Sequence, residues 1–472
     1  MSAITGVLAL DAAAVARAEE PVAAREPRLM TEAAEITSVV DAFDEDDPFD
    51  LDLLVGFSQS WKHANIRRET QVFGPGLATG AFIPATQNIA SYSSSMSTLL
   101  VGADVGIYRD LALILRLPVI LSWSQSLGDL NGTIPIAGQL LQDPAGGTLF
   151  GLPFNSPTRS GVDYLSIGAD WGIYNQQRDS TKPTWVIGVE GRLAVGTPLH
   201  ACNANPAPSV FSCPDPVTGQ NRDPGISRGM NSILGKSIWS RRFGYIEPYS
   251  GFWVQADFPT SGSDFGKWNP TTNLARTPPL VGSFALGMEV VPYENREQYQ
   301  RLSFDLRFKG TYHSPGRDYS ELFDALGSSQ AASLRTPNPA AYMANPNPDP
   351  TGPPSIVDPK AEKIYFTGVT EQQAYGSMTV SAAATWQAGE YIKFTLGSAL
   401  TYAQPHLVTA ADSCNPNVTD PAQAGPCRNA ATGQIAGAPN PDHREIIDLP
   451  GHRFSVDDTT IVDLYVMGIV MF

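Results

Sequence analysis

TIVDLYVMGIVMF, residues 460–472, ends the sequence and decides how the rest is read. Counting back in twos from Phe472 gives Val470, Gly468, Val466, Leu464 and Val462, a nearly apolar row. Met471, Ile469, Met467, Tyr465 and Asp463 alternate with it. Successive side chains on a strand point to opposite sides, so the two rows are two faces of one strand.

The same alternation recurs upstream. Residues 51–61 put Leu51, Leu53, Val55 and Phe57 on one face and Asp52, Gly56 and Ser58 on the other. Residues 96–108 and 111–123 form a hairpin across Arg109-Asp110, and its GADVGIY (102–108) returns as GADWGIY (168–174), an internal repeat. Residues 185–195 partner the second copy. Further hairpins are expected at 230–240 with 244–257, 280–293 with 299–313, and 374–387 with 391–404, although 230–240 alternates poorly. With 460–472 the strands number twelve.

Short and long connections alternate strictly. The long ones are 62–93, read as irregular, 125–159, 197–228, 259–276, 314–373 and 405–459, and every other junction is tight. Residues 320–334 read as a short helix. Tight turns on one side and long loops on the other suit a barrel spanning an outer membrane, and an even strand count lets the sheet close, as lipid requires. Two soluble β-sandwiches would explain the alternation but not the sorting of loops.

A last strand ending in Phe, with apolar residues at every second position, resembles the signal by which outer-membrane β-barrels of Gram-negative bacteria are recognised for assembly. The resemblance implies an all-β fold: a twelve-stranded antiparallel transmembrane β-barrel with periplasmic termini and long extracellular loops. It also implies outer-membrane lipid and the barrel-assembly machinery as partners, with Phe472 as the assembly signal. Aromatic residues near strand ends fit membrane girdles. Tyr108, Tyr174, Tyr293 and Phe472 would lie toward the periplasm and Trp61 and Trp123 toward the surface, but strict alternation turns the three tyrosines inward.

Composition agrees. Hydrophobic residues make up 42%, with 42 Gly and 39 Pro, a mix of strands and turns. The net charge of −16 excludes a general nucleic-acid binder. No apolar run approaches the roughly 18 residues of a transmembrane helix. Four cysteines fall in two close pairs inside long loops, Cys202 with Cys213 and Cys414 with Cys427, and two local disulfides are expected. Residues 1–18 read as a degenerate signal peptide, 19–48 as an acidic periplasmic leader and 49–472 as the barrel. Asp41, Asp44, Glu45, Asp46 and Asp47 crowd the leader without EF-hand spacing and read as solvated, not as a calcium site.

Catalytic signatures are missing from the sequence. His313 precedes Ser314 where a membrane phospholipase would place the two residues two apart, on one face. No G-x-S-x-G, H-E-x-x-H or P-loop occurs, and no enzyme, cofactor or metal is expected. His443 and His452 flank Asp448 in the last loop and read as solvated. The inward row carries the chemistry instead: Asp104, Asp170, Glu190, Glu289, Asp305 and Asp463 with Arg116, Arg192, Arg307, Lys309 and Lys393. Each GADxGIY hairpin is expected to join its acid to the base on its partner strand, Asp104 to Arg116 and Asp170 to Arg192. Ionisable groups inside a membrane protein need partners or water, so this row lines a polar pore or plugs it. A porin-like channel for small solutes is the expected function. A surface-exposed structural, adhesion or complex-scaffold barrel acting through its loops is the alternative, and a loop-sited hydrolase is third. The apolar inner row of the last strand marks a place where the leader or a loop packs.

Overall fold

A computed structural model describes residues 34–42, 50–73, 82–130, 140–265, 277–340, 342–344, 355–357, 360, 362–421, 423–429 and 431–472. The expected signal peptide, the leader up to residue 33 and the acidic residues 44–47 lie outside them.

Twelve antiparallel strands form the wall: β1 (Leu51–Phe73), β2 (Phe82–Tyr108), β3 (Leu111–Gly128), β4 (Tyr164–Tyr174), β5 (Thr184–Ala194), β6 (Met230–Ser240), β7 (Ile246–Pro259), β8 (Val281–Asn295), β9 (Gln300–His313), β10 (Tyr375–Gly389), β11 (Ile392–Ala403) and β12 (Phe454–Met471). Each pairs with its neighbour in sequence, and β12 returns to β1 in a register running from Asp52 opposite Met471 to Arg68 opposite Phe454. Leu51 and Phe472 exchange both backbone hydrogen bonds, at 3.2 and 2.9 Å, so the terminal Phe seals the seam. Closure leaves no strand edge to lipid.

The apolar rows face outward. Val55, Leu113, Val189, Leu306, Leu396 and Val466 are all exposed, as a lipid-facing band requires. The three tyrosines depart from strict alternation. The ladder slips between Gly106 and Tyr108, between Gly172 and Tyr174, and between Val290 and Tyr293. Each bulge inserts a residue and re-aims the next side chain, so Tyr108, Tyr174 and Tyr293 point outward and are exposed. Tyr174 meets Trp185 at 5.7 Å, Trp185 stacks on Trp239 at 6.0 Å, and Tyr293 stacks on Trp386 at 6.0 Å, a girdle at the periplasmic level. Trp123 is corrected the other way. A slip in the β2–β3 ladder next to Thr98 puts Leu121 and Ser122 both outside, and Trp123 turns inside to donate to Ser94 Oγ at 3.1 Å.

The first long connection is not irregular. β1 runs for 23 residues and β2 for 27, against the roughly 9–11 that cross a bilayer, so their hairpin rises far above the membrane. β12 likewise starts at Phe454 rather than at 460. The inner face of this raised wall offers Ala64, Ile66, Ile89, Tyr92, Leu127, Phe454 and Val456, and loops fold onto it with Leu149, Phe150, Leu322, Leu326, Leu334 and Ile447. Burying one such side chain contributes about 1.5–3 kcal/mol. The expected helix at 320–334 is two short ones, α1 (Phe323–Gly327) and α2 (Ala332–Arg335). Between them Ser328 Oγ donates to Asp324 O and Ser329 Oγ accepts from Ala331 N, bonds that compete with a continuous helix. A third, α3 (Glu445–Asp448), lies in the last loop. Disulfides Cys202–Cys213 and Cys414–Cys427 staple two of these loops.

Candidate functional site: the barrel lumen

Three levels follow one another along the barrel axis. At the periplasmic mouth, residues 34–42 cross the opening. Glu35 N donates to Glu289 Oε2 at 2.9 Å and its carboxylate takes Lys393 Nζ at 2.7 Å. Thr37 Oγ1 meets Ser240 Oγ at 2.8 Å, and Ala42 exchanges backbone hydrogen bonds with Arg109 at 3.1 and 2.8 Å. These partners sit on β8, β11, β6 and the β2–β3 turn, nearly opposite sides of the ring. Gly106 is what lets the segment reach the wall, because a Cβ there would overlap the Asp41 carbonyl. Glu289 also pairs with Arg301 at 2.8 Å, and both are almost fully buried. Glu289 and Lys393, expected along the pore, therefore belong to the mouth. Beside them Met467, Ile469 and Met471 pack on Leu54 and Leu100, so the apolar inner row of β12 is covered chiefly by its neighbours β1 and β2.

Halfway up, the inward charges form a belt. Arg116 grips Asp104 with both Nη atoms, at 2.5 and 2.7 Å, the pairing the first hairpin suggests. The second hairpin differs: Asp170 binds Lys236 on β6 at 2.5 Å, and Arg192 binds Glu190 on its own strand at 2.7 Å. Asp170 stands opposite Gly188, and the step equivalent to Arg116 is taken by Glu190, another acid. Lys236 instead lies across bare Gly188, where a Cβ would overlap it and Asp170 together. Lys236 is thus a lumen residue that hairpin logic missed, and Gly188 was its signal. Further round, Arg307 binds Asp305 at 3.0 Å and Tyr249 Oη at 2.9 Å, while Tyr249 also donates to Asp305. Lys309 follows Arg307 on the same face, with its ammonium 5.9 Å from the Trp253 ring. The ion-paired side chains of this belt remain between 12% and 33% exposed although they face inward.

The outer end carries the packed loop cap. Arg159 binds Asp324 through two nitrogens at 2.9 and 2.6 Å, and Asp324 also accepts from Cys202 N at 2.8 Å. Neither side chain of that pair is more than 3% exposed. Burial raises the Glu371 carboxyl to about 8 although Asn440 donates to it at 2.9 Å. It raises Asp448, at the end of α3, to about 7 against hydrogen bonds from the Arg444 and Ala411 amides. His443 and His452 turn their rings to the backbone carbonyls of Ala411 and Glu445; His452 is exposed and His443 half-buried. Among the described residues, no three His, Cys, Asp or Glu side chains gather to hold a metal.

No protein-family model matches the chain, and no curated protein matches it. Among solved structures, an outer membrane channel from Pseudomonas putida F1 is similar at 8% identity and a TM-score of 0.36, over 94% of this chain and 100% of that one. A FadL homologue from Pseudomonas aeruginosa stands at 8% and 0.30, over 94% of each chain. The TodX monoaromatic hydrocarbon channel stands at 8% and 0.30, over 89% of this chain and 90% of that one. At that level neither substrate nor mechanism is carried across, and the assignment stands on closure, the apolar band and the aromatic girdle. The protein is a twelve-stranded β-barrel of the Gram-negative outer membrane.

Proposed function

We propose that the barrel is a channel for small polar solutes, with the ion-paired belt as its passage and the 34–42 segment as a closure at its periplasmic mouth. The partial exposure of inward-facing pairs at mid-barrel carries this reading. A barrel filled with side chains would bury those pairs, as Arg159–Asp324 in the cap and Arg301–Glu289 at the mouth are buried. Assembly into outer-membrane lipid through the barrel-assembly machinery, with Phe472 as its signal, belongs to the same proposal. So does the absence of an enzymatic role. Osmotic swelling of proteoliposomes in small sugars and organic acids tests it: the folded protein should speed swelling over empty vesicles, and equal rates would refute the channel.

A scaffold acting through its loops is the second reading, favoured by the packed cap with its buried Arg159–Asp324 pair. It predicts no swelling, together with a cap that keeps its fold when the belt is mutated.

A further inference from the structure

Within the proposed passage the belt is uneven. Asp104 and Asp170 are each neutralised by a close cation, Arg116 and Lys236. Along the β5–β9 wall one cation stands without such a partner. Lys309 has no carboxylate at ion-pair distance among the described residues, and Arg192 and Arg307 are near enough to act on its charge. The two arginines are only partly used. Arg192 gives Nε to Glu190 and Nη1 to Gln255, leaving Nη2 without an acceptor among the described residues. Arg307 gives Nε to Tyr249 and Nη2 to Asp305, leaving Nη1 in the same condition. Arg192 and Arg307 thus pair with Glu190 and Asp305, and Lys309 pairs with neither.

Each cation also sits against a ring. Arg192 lies 5.1 Å from the centre of Tyr164, Lys309 5.9 Å from Trp253 and Arg307 5.5 Å from Tyr249. Rings hold the cations in place by their quadrupole; Tyr249 is itself buried, while the half-buried Tyr164 and Trp253 leave apolar ring surface beside Arg192 and Lys309. Exposed guanidinium edges and an ammonium suit a carboxylate, and flat apolar surface suits a ring beside it.

We infer that this wall is a binding site for small aromatic carboxylates, with Lys309 as the principal anchor and the free edges of Arg192 and Arg307 near it. The inference rests on the channel reading for its biological use, but the site itself does not depend on conduction. The anchor faces the lumen from β9, where one ligand oxygen would replace the water that an unpaired ammonium otherwise keeps.

Titration calorimetry on the full-length protein, folded in detergent, tests the site with benzoate as probe and acetate as the ringless comparison. Benzoate should bind, and acetate should bind at least about tenfold more weakly. Lys309→Gln should weaken benzoate by about tenfold, the order of one charge-assisted hydrogen bond. Lys309→Arg should restore it, and Lys182→Gln, on the exposed periplasmic turn, should change nothing. Arg192→Gln supplies a second loss variant if Lys309→Gln does not fold, folding being read from different gel mobility before and after boiling. No benzoate binding by the folded wild type, equal binding of acetate, or unaltered binding in folded loss variants would each overturn the inference. The two proposals fail separately: benzoate binding without swelling refutes the channel alone, and swelling without benzoate binding refutes the site alone.

Discussion

The middle of the barrel and its two ends use the same chemistry, arginine or lysine against aspartate or glutamate, to opposite effect. Arg116 and Asp104 keep 23% and 19% of their side chains exposed. Arg159 and Asp324 in the cap keep 1% and 3%. A pair that retains water is only weakly stabilising, whereas breaking a buried pair strands a charge. The ends should therefore respond to mutation as structure and the middle as a passage. Position decides this, not residue type: the cap pair has a hydrophobic core above the membrane, and the belt pairs have only the lumen.

The largest effect should come from Arg159→Ala. It leaves the Asp324 carboxylate buried with only the Cys202 amide to bind it, which costs about 3–5 kcal/mol. Limited proteolysis should cut near α1 much faster, while the boiled and unboiled protein still migrate differently on a gel. Loss of the barrel together with the cap would erase the contrast drawn above.

A second effect should follow pH at the cap. Glu371 and Asp448 have carboxyl groups raised by burial from about 4.5 and 3.8 to about 8 and 7. The folded cap then holds more protons than the unfolded loops, so its stability is full below about pH 4 and falls as pH rises toward 8. Amide exchange in residues 405–450 should quicken over that window relative to the barrel strands, after correction for intrinsic rates. Glu371→Gln with Asp448→Asn should flatten the trend.

The sequence made the wall legible and the ends much less so. Apolar alternation, tight turns on one side and the terminal Phe are properties of short stretches, and they located all twelve strands. The bulges at Tyr108, Tyr174 and Tyr293 insert single residues without altering composition, so they surface only as a mismatch between alternation and girdle. The raised parts of β1 and β2 are hidden for another reason. Their outer face is polar rather than apolar, with Ser91, Ser93, Ser95 and Ser97 on β2, and their inner partners are loops distant in sequence. The belt was half legible. A cross-strand rule finds Asp104–Arg116, but Asp170–Lys236 spans two strands through the gap at Gly188. The mouth could not be read at all, because nothing in residues 34–42 announces that Glu35 will meet Lys393.

The smallest expected cost in stability is in the belt. Asp104→Asn should cost no more than about 1 kcal/mol, since its pair with Arg116 keeps part of its water. Removing one lumen carboxylate and freeing Arg116 should instead shift the reversal potential across a salt gradient toward anions. A large drop in the unfolding midpoint with no change in potential would make the belt a plug like the ends.

The contrast rests on a passage that is present but closed at the mouth, and single-channel recording in planar bilayers tests that most directly. Lys393→Ala removes the ammonium that holds Glu35, and with it the tie between β11 and the 34–42 segment. The folded variant should show current steps that are larger or more frequent than those of the wild type under the same voltage and salt. Two folded proteins that insert into the bilayer and pass no current in either form would contradict the account.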